Sequence, residues 1–269
     1  MILAIDTATR SMSLALHNGD TLLAEQSWVA GNRHNTALAP AIDHMLAGQR
    51  VAASDLTALA VSTGPGSYTG LRIGVALAKG MAAARHLPLV GVSTLDTLAA
   101  GQPFYQSGIA LIAVVQAGRG RIIVNSYRWR RGRWFSHAEP RLLDWETLLA
   151  SLDGPAHITG EIDEDGVEMI NDAQTQDIRV TLAAPAQRMR RAGYLAEVAL
   201  ERLAEADDKS VFEASRVLPV YVKTSDDDDD DSTSDDNSPT SADSDTPAAS
   251  DSTGDNASDN TDKSDTPAT

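Results

Sequence analysis

The chain has 269 residues, enough to bury the core of one or two domains, and a formal charge of −16. That charge is one-sided: residues 224–269 hold fifteen Asp, no Glu and one Lys, a net of −14, which leaves −2 for residues 1–223. A nearly neutral folded part excludes a halophilic surface and supplies no global basic field for steering onto nucleic acid. The absence of cysteine excludes disulfides and thiol chemistry.

The chain opens with "MILAID", then "MSLALH", whose apolar and polar residues alternate, then "NGD" and "TLLAEQSW". Together these predict three strands, the last two joined by a tight turn. From Asn35 to Ala47, the recurrence of Ala37, Leu38, Ala41, Ile42, Met45 and Leu46 predicts an amphipathic helix, with Pro40 in or near its first turn. "LTALAVS" reads as a short buried strand, followed by the loop "GPGSYTG" and a helix from Leu71 to Arg85. The order is βββαβα. A strand, a helix capped by Ser93 and a Gly/Pro linker near residues 101–108 follow. The second half repeats the order: "IALIAVVQ", "RIIVNSYRW" and "RWFSHAE" as strands, "WETLLASL" as a helix, "AHITG" as a strand and "PAQRMRRAGYLAEVALERLAEA" as one long helix. This predicts an α/β protein with two lobes of βββαβα, residues 1–105 and 106–223. Residues 224–269 contain no Leu, Ile, Val, Met or aromatic side chain, so they have nothing to bury against the entropy of ordering. They are expected to form a disordered acidic tail, either a solvating appendage or a docking arm for a basic partner.

In the loop, Gly64, Pro65 and Gly66 force a turn, Ser67 or Thr69 can cap the next helix, and Arg72 adds positive charge beside the first backbone N–H groups. Two readings follow. Either the loop holds a phosphate or carboxylate, or it is a strand-to-helix turn whose glycines permit close packing; it lacks the lysine spacing of a P-loop. In the helix, Gly70, Gly74, Ala78 and Ala82 fall four apart. Glycine inside a helix costs about 1 kcal/mol relative to alanine, so a close helix contact is expected there, within the subunit against Leu38, Ile42 and Met45 or across an interface.

His34 and His44 would lie roughly 80° apart around a helix and about 15 Å along it, so they cannot share one ion. His17, His86, His137 and His157 show no ligand spacing and are expected on surfaces or loops. No nucleophile-elbow pattern occurs. "RGRIIVNSYRWRRGRW" interleaves arginine with aromatics, which suits either RNA phosphates or a solvated basic edge that discourages strand pairing. With no basic segment before "ILAID" and no apolar run near the roughly 18 residues of a membrane span, a cytoplasmic protein without membrane contact is expected.

"MILAIDTAT", His34 before "LAPAIDHML", "STGPGSYTGLRIGVALAKGMA", "LVGVSTLDTLA" and "LPVYVK" resemble the TsaB (YeaZ) family, the dimerization subunit of the bacterial tRNA threonylcarbamoyladenosine machinery. The resemblance runs from Met1 to about Lys223, most specifically over the first 100 residues. It implies an actin-like ATPase/sugar-kinase (ribonuclease-H-like) fold. It also implies a non-catalytic role activating a TsaD-like transferase, a TsaE-like ATPase reached through the complex, tRNA bound indirectly, and a homodimer when the chain is alone. An active ATPase, kinase or glycoprotease-like enzyme of the same fold is the alternative. Under the resemblance, Asp6, Thr7, Gly66 and Arg72 are the weak candidates for a nucleotide site. Ala8 stands where active relatives commonly place a glycine, Gln116 where the TsaB family usually shows an aspartate and Arg121 where a glutamate is common, and no cofactor is expected. The helices carrying Leu38, Ile42, Met45, Gly70, Gly74, Ala78 and Ala82 are the expected interface.

Overall fold

The computed structural model describes residues 1–222 except Asp177; the expected acidic tail lies outside the described residues. Strands β1 (Ile2–Asp6), β2 (Ser11–His17) and β3 (Leu22–Val29) form an antiparallel meander, and β4 (Ala58–Gly64) and β5 (Leu89–Ser93) add to it in parallel, giving the order β3-β2-β1-β4-β5. Helices α1 (His34–Gly48) and α2 (Tyr68–Arg85) follow β3 and β4, and α3 (Thr94–Ala100) follows β5. The second half repeats this with β6 (Ala110–Gly118), β7 (Arg121–Arg130), β8 (Arg133–Ser136), α4 (Trp145–Ala150), β10 (Ala156–Gly160), α5 (Glu164–Thr175), β11 (Val180–Leu182) and α6 (Ala192–Glu205). Its sheet order, β11-β10-β6-β7-β8, is the first sheet's order read from the other side, and a short β9 (Arg141–Leu143) also pairs with β7.

The repeat is therefore βββαβαβα, longer than the sequence predicts. Residues 161–183 supply α5 and β11, for which the sequence pattern gives no expectation. Asp163 caps α5 by accepting from Gly166 N, while Ile170 and Ala173 face the core. The predicted 22-residue helix does not form as one piece. A 3₁₀ turn covers Pro185–Arg188, the backbone is extended at Met189 and Arg191, and the α-helix begins at Ala192. Pro40 lies well inside α1 rather than in its first turn, with its side chain exposed.

Both faces of each sheet are covered. On the first sheet, Leu3, Ile5, Leu14 and Val61 meet α1 and α2, while Ile2, Ala4, Ala60 and Val92 meet Leu195, Ala196 and Ala199 of α6. On the second, Val114, Val124 and Ile158 meet α4 and α5, while Ala113, Val115 and Tyr127 meet Leu95, Leu98 and Ala99 of α3. The last helix of each half thus packs on the other half's sheet. Among the described residues no helix is long and apolar enough to cross a membrane.

The small face of α2 is covered from within the chain. Gly70, Gly74, Ala78 and Ala82 are buried, and a Cβ on Gly70 or Gly74 would fall inside contact distance of Thr7 O or Thr7 Oγ1. Leu38, Ile42 and Met45 are buried in the same core. The close approach that the glycines permit is to the β1–β2 turn, so the seven residues expected at an interface are internal. Gly80, by contrast, faces open space. Gly80→Ala is expected to raise stability by up to about 1 kcal/mol through helix propensity, and Gly74→Ala to lower it by about 1–3 kcal/mol through overpacking. Both are read as shifts of the urea midpoint at unchanged m value.

Two histidines expected at the surface are buried, His17 at the end of β2 and His157 on β10. His157 Nδ1 lies 2.8 Å from Thr181 Oγ1, its ring lies 3.9 Å from that of Tyr105, and its Nε2 has no hydrogen-bond partner among the described residues. Burial pushes this imidazole below its ordinary range. The unfolded chain therefore takes up the proton first, so stability is full above about pH 6.5 and falls as the pH drops below it toward the folded-state value. His157→Gln is expected to flatten the dependence of Tm on pH between about pH 7 and pH 5; an unchanged slope would place the titration elsewhere.

Candidate functional site

A cleft of about 820 Å³ opens where the β1–β2 turn, the glycine loop, the β6–β7 turn, the end of β10 and the segment before α6 converge. At its base lies Arg190, whose side chain is 3 % exposed. Its Nε donates to Asp6 Oδ2 at 3.0 Å, its Nη1 to Glu161 Oε1 at 2.6 Å, and its Nη2 to Thr9 Oγ1 at 2.6 Å and Ser11 O at 3.3 Å. Thr9 Oγ1 also donates to Glu161 Oε1, and Glu161 Oε2 accepts from Gln116 N at 3.3 Å. One guanidinium thus joins the ends of β1 and β10 to the approach of α6. Burial alone opposes its charge, but Asp6 and Glu161 outweigh that penalty, so its pKa is raised above the ordinary arginine value.

The local structure explains how Arg190 reaches this point. Arg191 offers no side-chain cap to α6; Ala192 N instead donates to Ser13 Oγ at 2.8 Å and Gly193 N to Glu25 Oε1 at 2.7 Å. Arg191 itself pairs with Glu25, its Nε 2.8 Å from Oε2. These contacts pin the start of α6 on the first sheet, and the extended residues before it point Arg190 inward.

The four residues singled out for a nucleotide are each otherwise engaged. Asp6 is ion-paired to Arg190, and its Oδ1 accepts from Ala8 N at 2.9 Å. The Thr7 hydroxyl donates to Gly70 O at 2.7 Å. Gly66 lies so close to Ala8 O that no Cβ fits, and Ser67 N donates to the same oxygen at 2.6 Å. Arg72 stacks on Tyr68, 4.0 Å from the ring centroid, and does not line the cleft. Ser67 is the cap of α2, accepting from Gly70 N at 3.2 Å. Of the two readings of the loop, the structure supports the packing turn.

Glu161 and Arg190 were not singled out from the sequence. The signal for Glu161 was available: it directly follows the buried strand "AHITG", where strand ends meet the cleft. Arg190 was hidden inside an apparent helix. With both carboxylates bound to a guanidinium, the residues present do not fit the metal-bound nucleotide phosphate that the fold resemblance implies. Arg190→Met would leave two carboxylates without their counter-ion and is expected to cost about 3–5 kcal/mol, with Arg190→Lys intermediate because an ammonium cannot reproduce the fork. Urea denaturation of the three chains measures both.

Comparison with known proteins agrees with this architecture. The family model described as TsaD, tRNA N6-adenosine threonylcarbamoyltransferase, matches residues 28–214. The chain is 34% identical over 174 residues to the tRNA threonylcarbamoyladenosine biosynthesis protein TsaB of Bacillus subtilis, covering 64% of this chain and 75% of that protein. It is 37% identical over 148 residues to the Escherichia coli protein of the same name, covering 55% of this chain and 64% of that protein. YeaZ from Pseudomonas aeruginosa has a TM-score of 0.66 at 26% identity, covering 82% of this chain and 99% of that one. Two sheets of matching strand order, the sequence motifs and these likenesses converge: the chain belongs to the TsaB (YeaZ) family and has the fold of YeaZ.

Proposed function

We propose that the chain is a non-catalytic, cytoplasmic subunit that binds and activates a TsaD-like transferase in forming threonylcarbamoyladenosine in tRNA beside the anticodon. A TsaE-like ATPase joins through the same complex. The observation that carries the non-catalytic reading is the Arg190 cluster, because it neutralises both carboxylates at the base of the cleft. The partner surface is the outer side of α1 and α2, opposite the glycine face. There Ala37, Ala41, Ile73, Leu77 and Met81 are only partly buried, Ala76 is exposed, and Gly80 leaves a gap in the side-chain layer. Such a surface suits close docking of another helix pair, from a second copy when the chain is alone and from the transferase when it is present.

The test has two parts. The isolated chain is expected to show neither ATP turnover nor threonylcarbamoyl transfer, both appearing only with a TsaD-like partner; comparable rates without the partner would overturn the reading. Gly80→Glu places a charge in the gap without touching the core. It is expected to weaken complex formation at least about tenfold, or 1.4 kcal/mol, with circular dichroism retained and a Tm no lower than the parent's. Unaltered affinity would move the interface elsewhere.

A further inference from the structure

Seven arginines and one acid, Glu139, lie between residues 119 and 141, in a chain whose first 223 residues are otherwise slightly acidic. The structure sorts them. Arg133 is consumed, its Nη1 2.8 Å from Glu201 and its Nη2 3.0 Å from Glu205 of α6. Arg128, Arg130, Arg131 and Arg141 are exposed and make no side-chain hydrogen bond or ion pair with the described residues. Helix α4 on this side of the second sheet spans only six residues. A pocket of about 530 Å³ opens there, with Arg128, Arg141 and His137 on its walls. Arg130 follows Arg128 by one strand repeat, and Arg131 sits at the turn of the β7–β8 hairpin.

Edge protection does not account for this pattern. Beyond β7 the edge strands are β8, whose arginine is paired to α6, and β9, which carries Arg141; Arg128 and Arg130 sit on β7, inside the sheet, and Arg131 in the turn, where edge protection does not explain them. Glu139 and Asp153 also line the pocket, so within it the two arginines are balanced and a single small anion gains little. The excess charge begins where Arg130 and Arg131 extend the row to the hairpin tip. A row of guanidinium groups running past a balanced pocket matches an extended polyanion with regularly spaced charges. Trp129, between Arg128 and Arg130 on β7, points to the opposite face of the sheet, where it packs against Trp134 and Phe104, so the row offers charge to a backbone rather than a platform to bases.

The geometry points to direct contact between this face and the phosphodiester backbone of tRNA, so that the chain holds part of the RNA itself rather than only through its partner. The inference rests on the reading that the chain acts in tRNA modification, but not on the α1–α2 interface. Salt must be chosen with the chain's net charge in mind. At about 0.1 M the Debye length is about 10 Å, which screens charges farther than that from the face while leaving contacting phosphates effective.

The experiment uses the full chain and an unmodified tRNA transcript, with affinity read by fluorescence anisotropy from about 50 to 200 mM KCl. The triple variant Arg128→Gln, Arg130→Gln, Arg131→Asn removes the row; asparagine keeps the positive φ of Arg131. A control of equal charge, Arg33→Gln, Arg50→Asn, Arg85→Gln, lies on the first half. The row variant is expected to bind at least tenfold more weakly, with the slope of log K against log salt reduced by about one for each phosphate that no longer meets an arginine, and the control to match the parent. No measurable binding by the parent near 100 mM, or equal weakening in both variants, would overturn the inference. Complex formation with the TsaD-like partner, measured in parallel, is expected to be unchanged in the row variant. If that complex never forms with any chain, it is the proposed function that fails, and the RNA measurement still stands by itself.

Discussion

The buried guanidinium of Arg190 is the constraint around which the two halves are arranged. Its partners Asp6 and Glu161 come from the ends of the inner strands β1 and β10, 184 and 29 residues away. A buried charge of either sign would be costly alone, and here each is satisfied only if the β1–β2 turn, the end of β10 and the approach to α6 are all in place. The cluster therefore acts as a test of correct assembly as well as a link. Its geometry also determines the chemistry of the cleft, because carboxylates held by an arginine are not free to take a cation.

Packing reinforces the same link. Helix α6 covers the first sheet although it comes last in the chain, and α3 covers the second sheet although it comes before it. Neither half buries its apolar surface without a helix from the other, so separating them would expose Ala60, Val92 and Leu195 on one side and Leu98, Val115 and Tyr127 on the other. Polar contacts fix the same exchange. Tyr127 Oη donates to Asp96 at 2.9 Å, and Arg202 bridges Asp96 and Gly91 O.

The glycine-rich loop and the Arg190 cluster converge on the short segment from Asp6 to Thr9. Gly66, Gly70 and Gly74 come down on it from one side, where side chains would collide with Thr7 and Ala8. Arg190 and Glu161 hold it from the other, through Asp6 and Thr9. A turn gripped on both sides has its backbone groups already occupied.

Sequence alone determined much of this protein. Most strands, the apolar stripe of α1 and the small-residue helix α2 are legible in the sequence, Ser67 and Ser93 read as caps, and the duplicated order predicts two lobes. These are local properties, because strand and helix periods repeat within a few residues. What the tertiary structure decided is which surface each pattern serves. By sequence the small-residue face of α2 suits either a partner or the chain itself, and the tertiary structure places Gly70 and Gly74 against Thr7 and buries Ala78 and Ala82 in the core. The helix expected from Pro185 is broken because Arg190 is drawn to Asp6 and Arg191 to Glu25, attractions that no window around residue 190 contains. Charge pairing across the length of the chain carries no period, so it becomes visible only once the backbone has brought the partners together.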